Sequence, residues 1–133
     1  MAYWQLYYHI VWATKERLPL INFSIEERLH KYIVNKSKEF SCIVHGINSM
    51  PNHIHLLVSI PPNMAVSEYV RKIKGSSSNF VGKIDNNAFY WQNGYGIFTV
   101  GKRGLPMVID YIKNQKQHHR DNTIINELEK INF

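Results

Sequence analysis

Between His53 and Ile60 the apolar residues fall on every second position: Ile54, Leu56, Val58 and Ile60 alternate with His53, His55, Leu57 and Ser59. A strand sends successive side chains to opposite faces, so the pattern predicts a β-strand with one aliphatic face and one face that carries two imidazoles. The aliphatic face must be covered by another layer. The histidines, at i and i+2, project the same way. Such a chain is committed to a sheet that buries one side of this strand and uses the other.

The same alternation marks the start of the chain, where Trp4, Leu6, Tyr8, Ile10 and Trp12 share one face and Tyr3, Gln5, Tyr7 and His9 the other. Ser24-Ile25-Glu26-Glu27 reads as a capping box that opens a helix, with Leu29, Ile33 and Phe40 as its buried stripe. Residues 41–47 suit a strand, and Met50-Pro51-Asn52 forms a turn into the histidine strand, which together make a hairpin. Residues 66–83 read as a basic helix with Val70, Ile73 and Phe80 apolar, weakened by Gly75 and the serines at 76–78. A polar turn at Asp85-Asn86-Asn87 precedes two short strands, Phe89-Tyr90-Trp91 and Ile97-Phe98-Thr99-Val100, separated by Gly94 and Gly96. Gly101 to Gly104 is a hinge-like link into a helix over 105–119, followed by a further helical piece from Thr123 to Lys130. No repeat or linker divides the chain, and 133 residues leave little room for a second core, so one domain over 1–133 is expected. The order of elements predicts an α+β fold, an antiparallel sheet with helices packed on one face.

Sixteen Lys and Arg against ten Asp and Glu give a net charge of +6, which favours a polyanionic partner. Lys15, Arg17, Lys72, Lys74, Lys102 and Arg103 are the candidates for phosphate contacts, since each lies in a loop or on a basic helix. Tyr3, Tyr7, Trp91 and Tyr95 are available either to stack on unpaired bases or to fill the core. No apolar run is long enough to span a bilayer, and Met1-Ala2-Tyr3-Trp4-Gln5 lacks the layout of a signal peptide, so a cytoplasmic protein is expected. The lone cysteine, Cys42, sits before Ile43 and Val44 and is read as core packing.

Two constellations carry chemistry. His53 and His55 can converge on one cation, for which a neutral ring nitrogen is a good ligand; the residues alone equally allow two histidines engaged in ordinary hydrogen bonding. A histidine-triad hydrolase would need a third histidine where Leu57 stands, and a two-motif phosphoesterase would need a second His-x-Ser/Thr strand. The second constellation lies on the 105–119 helix, where Leu105, Val108, Ile109 and Ile112 form a buried stripe. Tyr111, Gln115 and His118 or His119 stack along another face. A phenol ionises near pH 10 and needs a metal, a base or a dry site before it attacks at neutral pH. If that face looks at the histidines, Tyr111 lies beside a cation and the Gln115 side-chain oxygen can reach it; otherwise Tyr111 merely packs.

Met50-Pro51-Asn52-His53-Ile54-His55-Leu56-Leu57, Tyr111-Ile112-Lys113-Asn114-Gln115 and His118-His119 together resemble the single-tyrosine HUH transposases of the smallest bacterial insertion sequences, the IS200-like group. The likeness extends to Tyr8-His9-Ile10-Val11-Trp12-Ala13-Thr14-Lys15, Lys74-Gly75-Ser76-Ser77 and Trp91-Gln92-Asn93-Gly94-Tyr95. It implies a ferredoxin-like antiparallel sheet with the histidines on a central strand, and a C-terminal helix carrying the tyrosine. It also implies a homodimer whose active sites are shared between protomers, acting on single-stranded DNA folded into hairpins. By the same resemblance, His53, His55 and Gln115 ligate a divalent metal, Mg or Mn, and Tyr111 is the nucleophile that forms a 5′-phosphotyrosine. His118 and His119 stay open between partners of the ligands, DNA contacts and ordinary surface residues. The alternatives are a domesticated relative that processes palindromes by the same chemistry, and a non-catalytic nucleic-acid binder on the same sheet.

Overall fold

A computed structural model describes residues 3–85 and 89–120, together with Ile125 and Glu129. The expected turn residues Asn86 and Asn87, and the helical piece over 123–130 apart from Ile125 and Glu129, lie outside the described residues. Four strands, β1 (Tyr7–Ala13), β2 (Ile43–Met50), β3 (His53–Ser59) and β4 (Gly96–Val100), form one sheet in the order β2-β3-β1-β4. Every neighbouring pair is antiparallel. The hairpin expected around Pro51-Asn52 joins β2 to β3, with an irregularity between Val44 and Gly46. Of the two short strands expected after residue 88, only the second forms; Trp91 of the first makes an isolated bridge to Thr14.

The aliphatic face of β3 is covered as its alternation requires. Ile54, Leu56 and Val58 pack with Ile10 and Trp12 of β1 against Ile25, Leu29 and Ile33 of α1 (Phe23–Glu39) and Val70 and Ile73 of α2 (Val66–Asp85). Each such side chain removed from water contributes about 1.5–3 kcal/mol. The start of α1 differs from the expected capping box. Asn22, in extended conformation, is the cap, and its side-chain oxygen accepts from the Ser24 and Ile25 backbone N–H groups at 3.0 and 3.2 Å. The Ser24 hydroxyl donates to the same oxygen at 2.6 Å and is thereby removed from the capping role. Gly75 and the serines do not interrupt α2, because the Ser76 hydroxyl turns back onto the Lys72 carbonyl at 2.7 Å and the helix runs through to Asp85.

The two long helices share one face, as expected; the C-terminal region takes the other. Here α3 (Leu105–Lys113) packs Val108 and Ile112 onto Leu57, the β3 residue on the histidine side. For that reason every residue of β3 is buried, on the histidine face as well as on the aliphatic one. The expected single helix over 105–119 breaks at Asn114, and α4 (Gln115–Arg120) follows. The Asn48 amide of β2 donates to the Ile112 and Lys113 carbonyls at 3.0 and 3.1 Å, satisfying two acceptors that a helix end leaves open. Lys116 then ties α4 down through Glu26, Asn48 Oδ1 and the Ser49 carbonyl.

Candidate active site

His53 and His55 sit at the middle of the sheet, paired on one side with Ala13 and Val11 of β1 and on the other with Met50 and Asn48 of β2. Pairing on both edges fixes the backbone, and the face they share is sealed by the C-terminal helices, leaving His53 4% and His55 0% exposed. On that face His53, His55, His119 and Glu129 offer ligand atoms that all lie within 4.8 Å of one another. The Glu129 carboxylate is the hub: its Oε1 is 3.1 Å from His55 Nε2 and 3.4 Å from both His53 Nε2 and His119 Nε2.

The donor set fits a divalent cation. His53 Nε2, His119 Nε2 and Gln115 Oε1 are buried, and none makes a hydrogen bond among the described residues. Buried polar atoms without partners are rare and costly, and two bare ring nitrogens with a carbonyl oxygen beside a carboxylate are what a borderline divalent ion takes. The electrostatics agree. Burial holds the His55 and His119 rings below the ordinary histidine range, keeping them neutral and able to ligate. Burial alone would raise Glu129, but the neighbouring His53 and His55 rings and the Tyr111 hydroxyl outweigh it and hold the carboxyl well below its usual range.

Tyr111 enters the same cluster from α3. It is 3% exposed, its ring centroid is 6.1 Å from that of His55, and the His118 ring stacks on it at 4.4 Å. Its hydroxyl donates to Glu129 Oε2 and accepts from the Ile125 backbone N–H at 2.9 Å. Burial, and then the Glu129 carboxylate, push the phenol above its ordinary value, so in this state Tyr111 is a neutral phenol. Gln115, fully buried at the first turn of α4, donates its amide to the same Glu129 oxygen at 3.1 Å and leaves its own oxygen free. All these groups belong to one chain. Asn48 and Lys116 hold α3 and α4 against their own sheet, so within the single chain Tyr111 faces its own histidines.

The phosphate candidates divide. Arg17 lines a cavity of about 450 Å³ together with Pro19, Met50, Pro51, Asn52, His53 and His119, so it stands at the mouth of the site. It and Glu16 adopt left-handed backbone, both with φ 55°, a conformation that side chains make costly and that tends to persist at functional loops. Lys15 lies over the Tyr90 ring at 5.6 Å. Lys102 and Arg103 are exposed on the short turn that leads into α3. Two candidates are placed otherwise. The Lys74 ammonium donates to the Gln92 and Gly94 carbonyls, where it orders the loop before β4, and Lys72 pairs with Glu68 on α2, across the sheet from the histidines. Of the aromatic residues, Tyr3 is exposed, whereas Trp91 packs against Trp12 and Phe89.

Sequence reasoning left His119 open and passed over His9 and Glu129. Glu129 carries no local signature, since it lies far beyond the tyrosine and only folding brings it to the histidines. His9 did carry one: β1 alternation sets it on the face opposite Ile10 and Trp12, the face that His55 shares, and its Nε2 lies 2.9 Å from His55 Nδ1. Burial, then the neighbouring His55, bring the His9 pKa down to about 3.

The chain is similar in sequence and in fold to known proteins. Residues 2–115, which include His53, His55, Tyr111 and Gln115, match the family described as Transposase IS200 like. The chain is 32% identical over 125 residues to the transposase for insertion sequence element IS200 of Salmonella typhimurium (strain LT2), covering 88% of this chain and 81% of that protein. It is 27% identical over 119 residues to the ISDra2 transposase TnpA of Deinococcus radiodurans, covering 84% and 85%. Among solved structures, one from Deinococcus radiodurans R1 assigned as a transposase superposes with a TM-score of 0.71 at 22% identity, over 86% of this chain and 95% of that one. A REP-associated tyrosine transposase bound to a REP hairpin superposes with a TM-score of 0.67 at 15% identity, over 90% and 74%. The four-stranded antiparallel sheet with its helices is the fold of those structures, and the chain belongs to the IS200-like transposase family.

Proposed function

We propose that this transposase nicks and rejoins single-stranded DNA through a phosphotyrosine on Tyr111, with a divalent cation, Mg or Mn, held by His53, His55 and Gln115. The observation that carries the reading is the convergence of the Tyr111 hydroxyl and three imidazoles on one carboxylate, Glu129. His119 and Glu129 extend the ligand set beyond the expected three. A cation bound there supplies charge neutralisation at the scissile phosphate. Tyr111 Oη attacks phosphorus, the bond from phosphorus to the 3′ oxygen breaks, and the 5′ phosphate stays on the tyrosine. Glu129, already accepting the phenolic hydrogen, takes the proton, and the departing 3′ oxygen is protonated by solvent. Attack by another 3′ hydroxyl on the phosphotyrosine reverses the step without ATP, since the bond energy is conserved. His118, stacked on the phenol, holds its plane during attack.

The strand enters along the cavity between Arg17 and Asn52, which brings a phosphate to the side of His53 and His119 that lines it. A substrate folded into a hairpin is supported by the REP hairpin held by one structural neighbour. That neighbour also favours a second reading, a palindrome-processing relative with the same chemistry, which genomic context separates by the presence or absence of matching element ends around the gene. A homodimer with active sites shared between protomers is part of this reading, and mixing two inactive subunits decides between shared sites and sites closed within each chain. The deciding experiment incubates the protein with labelled single-stranded hairpin DNA, with and without Mn²⁺, and resolves the products on a denaturing gel. A metal-dependent protein–DNA adduct is expected; binding without cleavage at any metal concentration would leave a non-catalytic binder.

A further inference from the structure

We infer that His9 is a positioning residue for the cation, because among the described residues it alone contacts the far nitrogen of His55 and must be able both to donate to it and to accept from it. The inference rests on the proposed metal site. His9 and His55 are both 0% exposed, on adjacent strands. Their rings are within 15° of coplanar with centroids 5.1 Å apart, while His9 Nε2 and His55 Nδ1 are 2.9 Å apart. At that separation the rings meet edge to edge, joined by an in-plane N–H···N bond rather than stacked. Two neutral imidazoles share one hydrogen along this line, and the other nitrogen of each decides which ring owns it.

Without a cation, His55 Nε2 faces Glu129 Oε1 at 3.1 Å, an atom that only accepts. His55 therefore carries its hydrogen on Nε2, leaves Nδ1 bare, and accepts from His9 Nε2–H. A ring nitrogen that binds a cation has no hydrogen, so in the loaded protein His55 carries it on Nδ1 and donates to a bare His9 Nε2. The hydrogen of His9 then resides on Nδ1, the atom that makes no hydrogen bond among the described residues in the present state. Each ring holds one proton before and after, so the pair as a whole neither gains nor loses one. A side chain that could not reverse its role would oppose either the empty or the loaded site.

The test reads the rings directly. Long-range ¹H–¹⁵N correlation spectra of the histidine rings are recorded for the metal-free protein and after addition of Zn²⁺, a diamagnetic probe. Both rings should be Nε2–H without zinc and Nδ1–H with it. In parallel, Mn²⁺ and Zn²⁺ affinities are measured by calorimetry for His9→Leu and His9→Gln. His9→Leu should weaken binding by about 10–100-fold, as removal of such a partner does. His9→Gln, whose amide can either donate or accept at the same position, should recover most of it. If Zn²⁺ binds and shifts His53 and His55 while the tautomer of His55 stays fixed, or if a folded His9→Leu binds metal like the parent, the role of His9 is overturned and the metal site stands. If Zn²⁺ leaves the His53 and His55 resonances unmoved, the metal site itself falls, and His9 with it. Should His9→Leu fail to fold, the parent spectra and His9→Gln still decide.

Discussion

Tyr111 donates its phenolic hydrogen to Glu129, a residue eighteen positions later, and the same carboxylate faces His53, His55 and His119. The proposed nucleophile and the proposed ligand set are thus joined through one side chain. Loss of either partner of this bond should have a distinct signature.

For Tyr111→Phe the ring, its stacking on His118 and its burial are kept, and only the hydroxyl oxygen, the proposed nucleophile, goes. Covalent adduct should disappear below detection, a loss of at least about 10³-fold, while hairpin binding measured by anisotropy changes by no more than about twofold. An adduct of normal yield on a denaturing gel would falsify the assignment.

Glu129→Gln keeps the shape and removes the charge. The carboxylate holds the phenol above its ordinary value, second to burial, so the Tyr111 pKa should fall yet stay above about 10 in an ultraviolet titration of tyrosinate. Mn²⁺ affinity should drop at least about tenfold, as for loss of a charged ligand. An unchanged phenol titration together with unchanged affinity contradicts the hub role.

Mixing two inactive subunits, one carrying His55→Ala and the other Tyr111→Phe, distinguishes a site closed within the chain from one completed by a partner. If each chain supplies both halves of its own site, as the single chain is arranged, no cleavage should return. Cleavage restored in a mixture whose subunit exchange has been verified would show that the nucleophile crosses between chains at that step.

Asn48→Ala frees the carbonyls of Ile112 and Lys113, the clasp that holds the tyrosine helix to β2. Stability should fall by about 1–3 kcal/mol, the cost of unpaired acceptors at a partly buried helix end. The nicking rate should fall more than this stability change accounts for, because Tyr111 is no longer fixed against His55. Denaturant melts and single-turnover cleavage of the same preparation check the two effects.

Acid should loosen the same region. The folded His30 lies below its ordinary 6.5, chiefly through burial, so the unfolded chain binds a proton the folded one does not and stability falls as pH drops below about 6.5. Burial raises Glu26, but hydrogen bonds from Lys116 and Ser49 prevail and leave it below its ordinary 4.5; its contribution is present above that value and is lost as pH falls through it. Both groups act in the same direction. Denaturant midpoints measured from pH 7.5 to pH 4 should decline, and His30→Gln should flatten the upper part of the curve; a parent protein indifferent to pH over this range would refute the sign.

The strand, the hairpin and the two long helices were legible because each is written in local period, whether two for β1 and β3 or three to four for α1 and α2. The shared face of His53 and His55 was legible for the same reason. The second covering layer was not, since Leu57 looks like one apolar residue on a polar face until Val108 and Ile112 meet it across the fold. The cap at Asn22 was hidden by a better-looking motif two residues later. Glu129 was out of reach of any spacing argument, because its partners lie on β3 and α3, brought to it only by the tertiary path.

Cys42 is fully buried and its thiol is pushed up to about 11 by burial, so it is almost wholly un-ionised at neutral pH. Thiol-directed reagents will pass it by, and the natural chain is already a blank background for single-site labelling. A cysteine placed at exposed Lys113 would carry a fluorophore at the end of the tyrosine helix without any prior removal of native thiols. The excursions of that helix from its own sheet could then be watched as they occur, one molecule at a time.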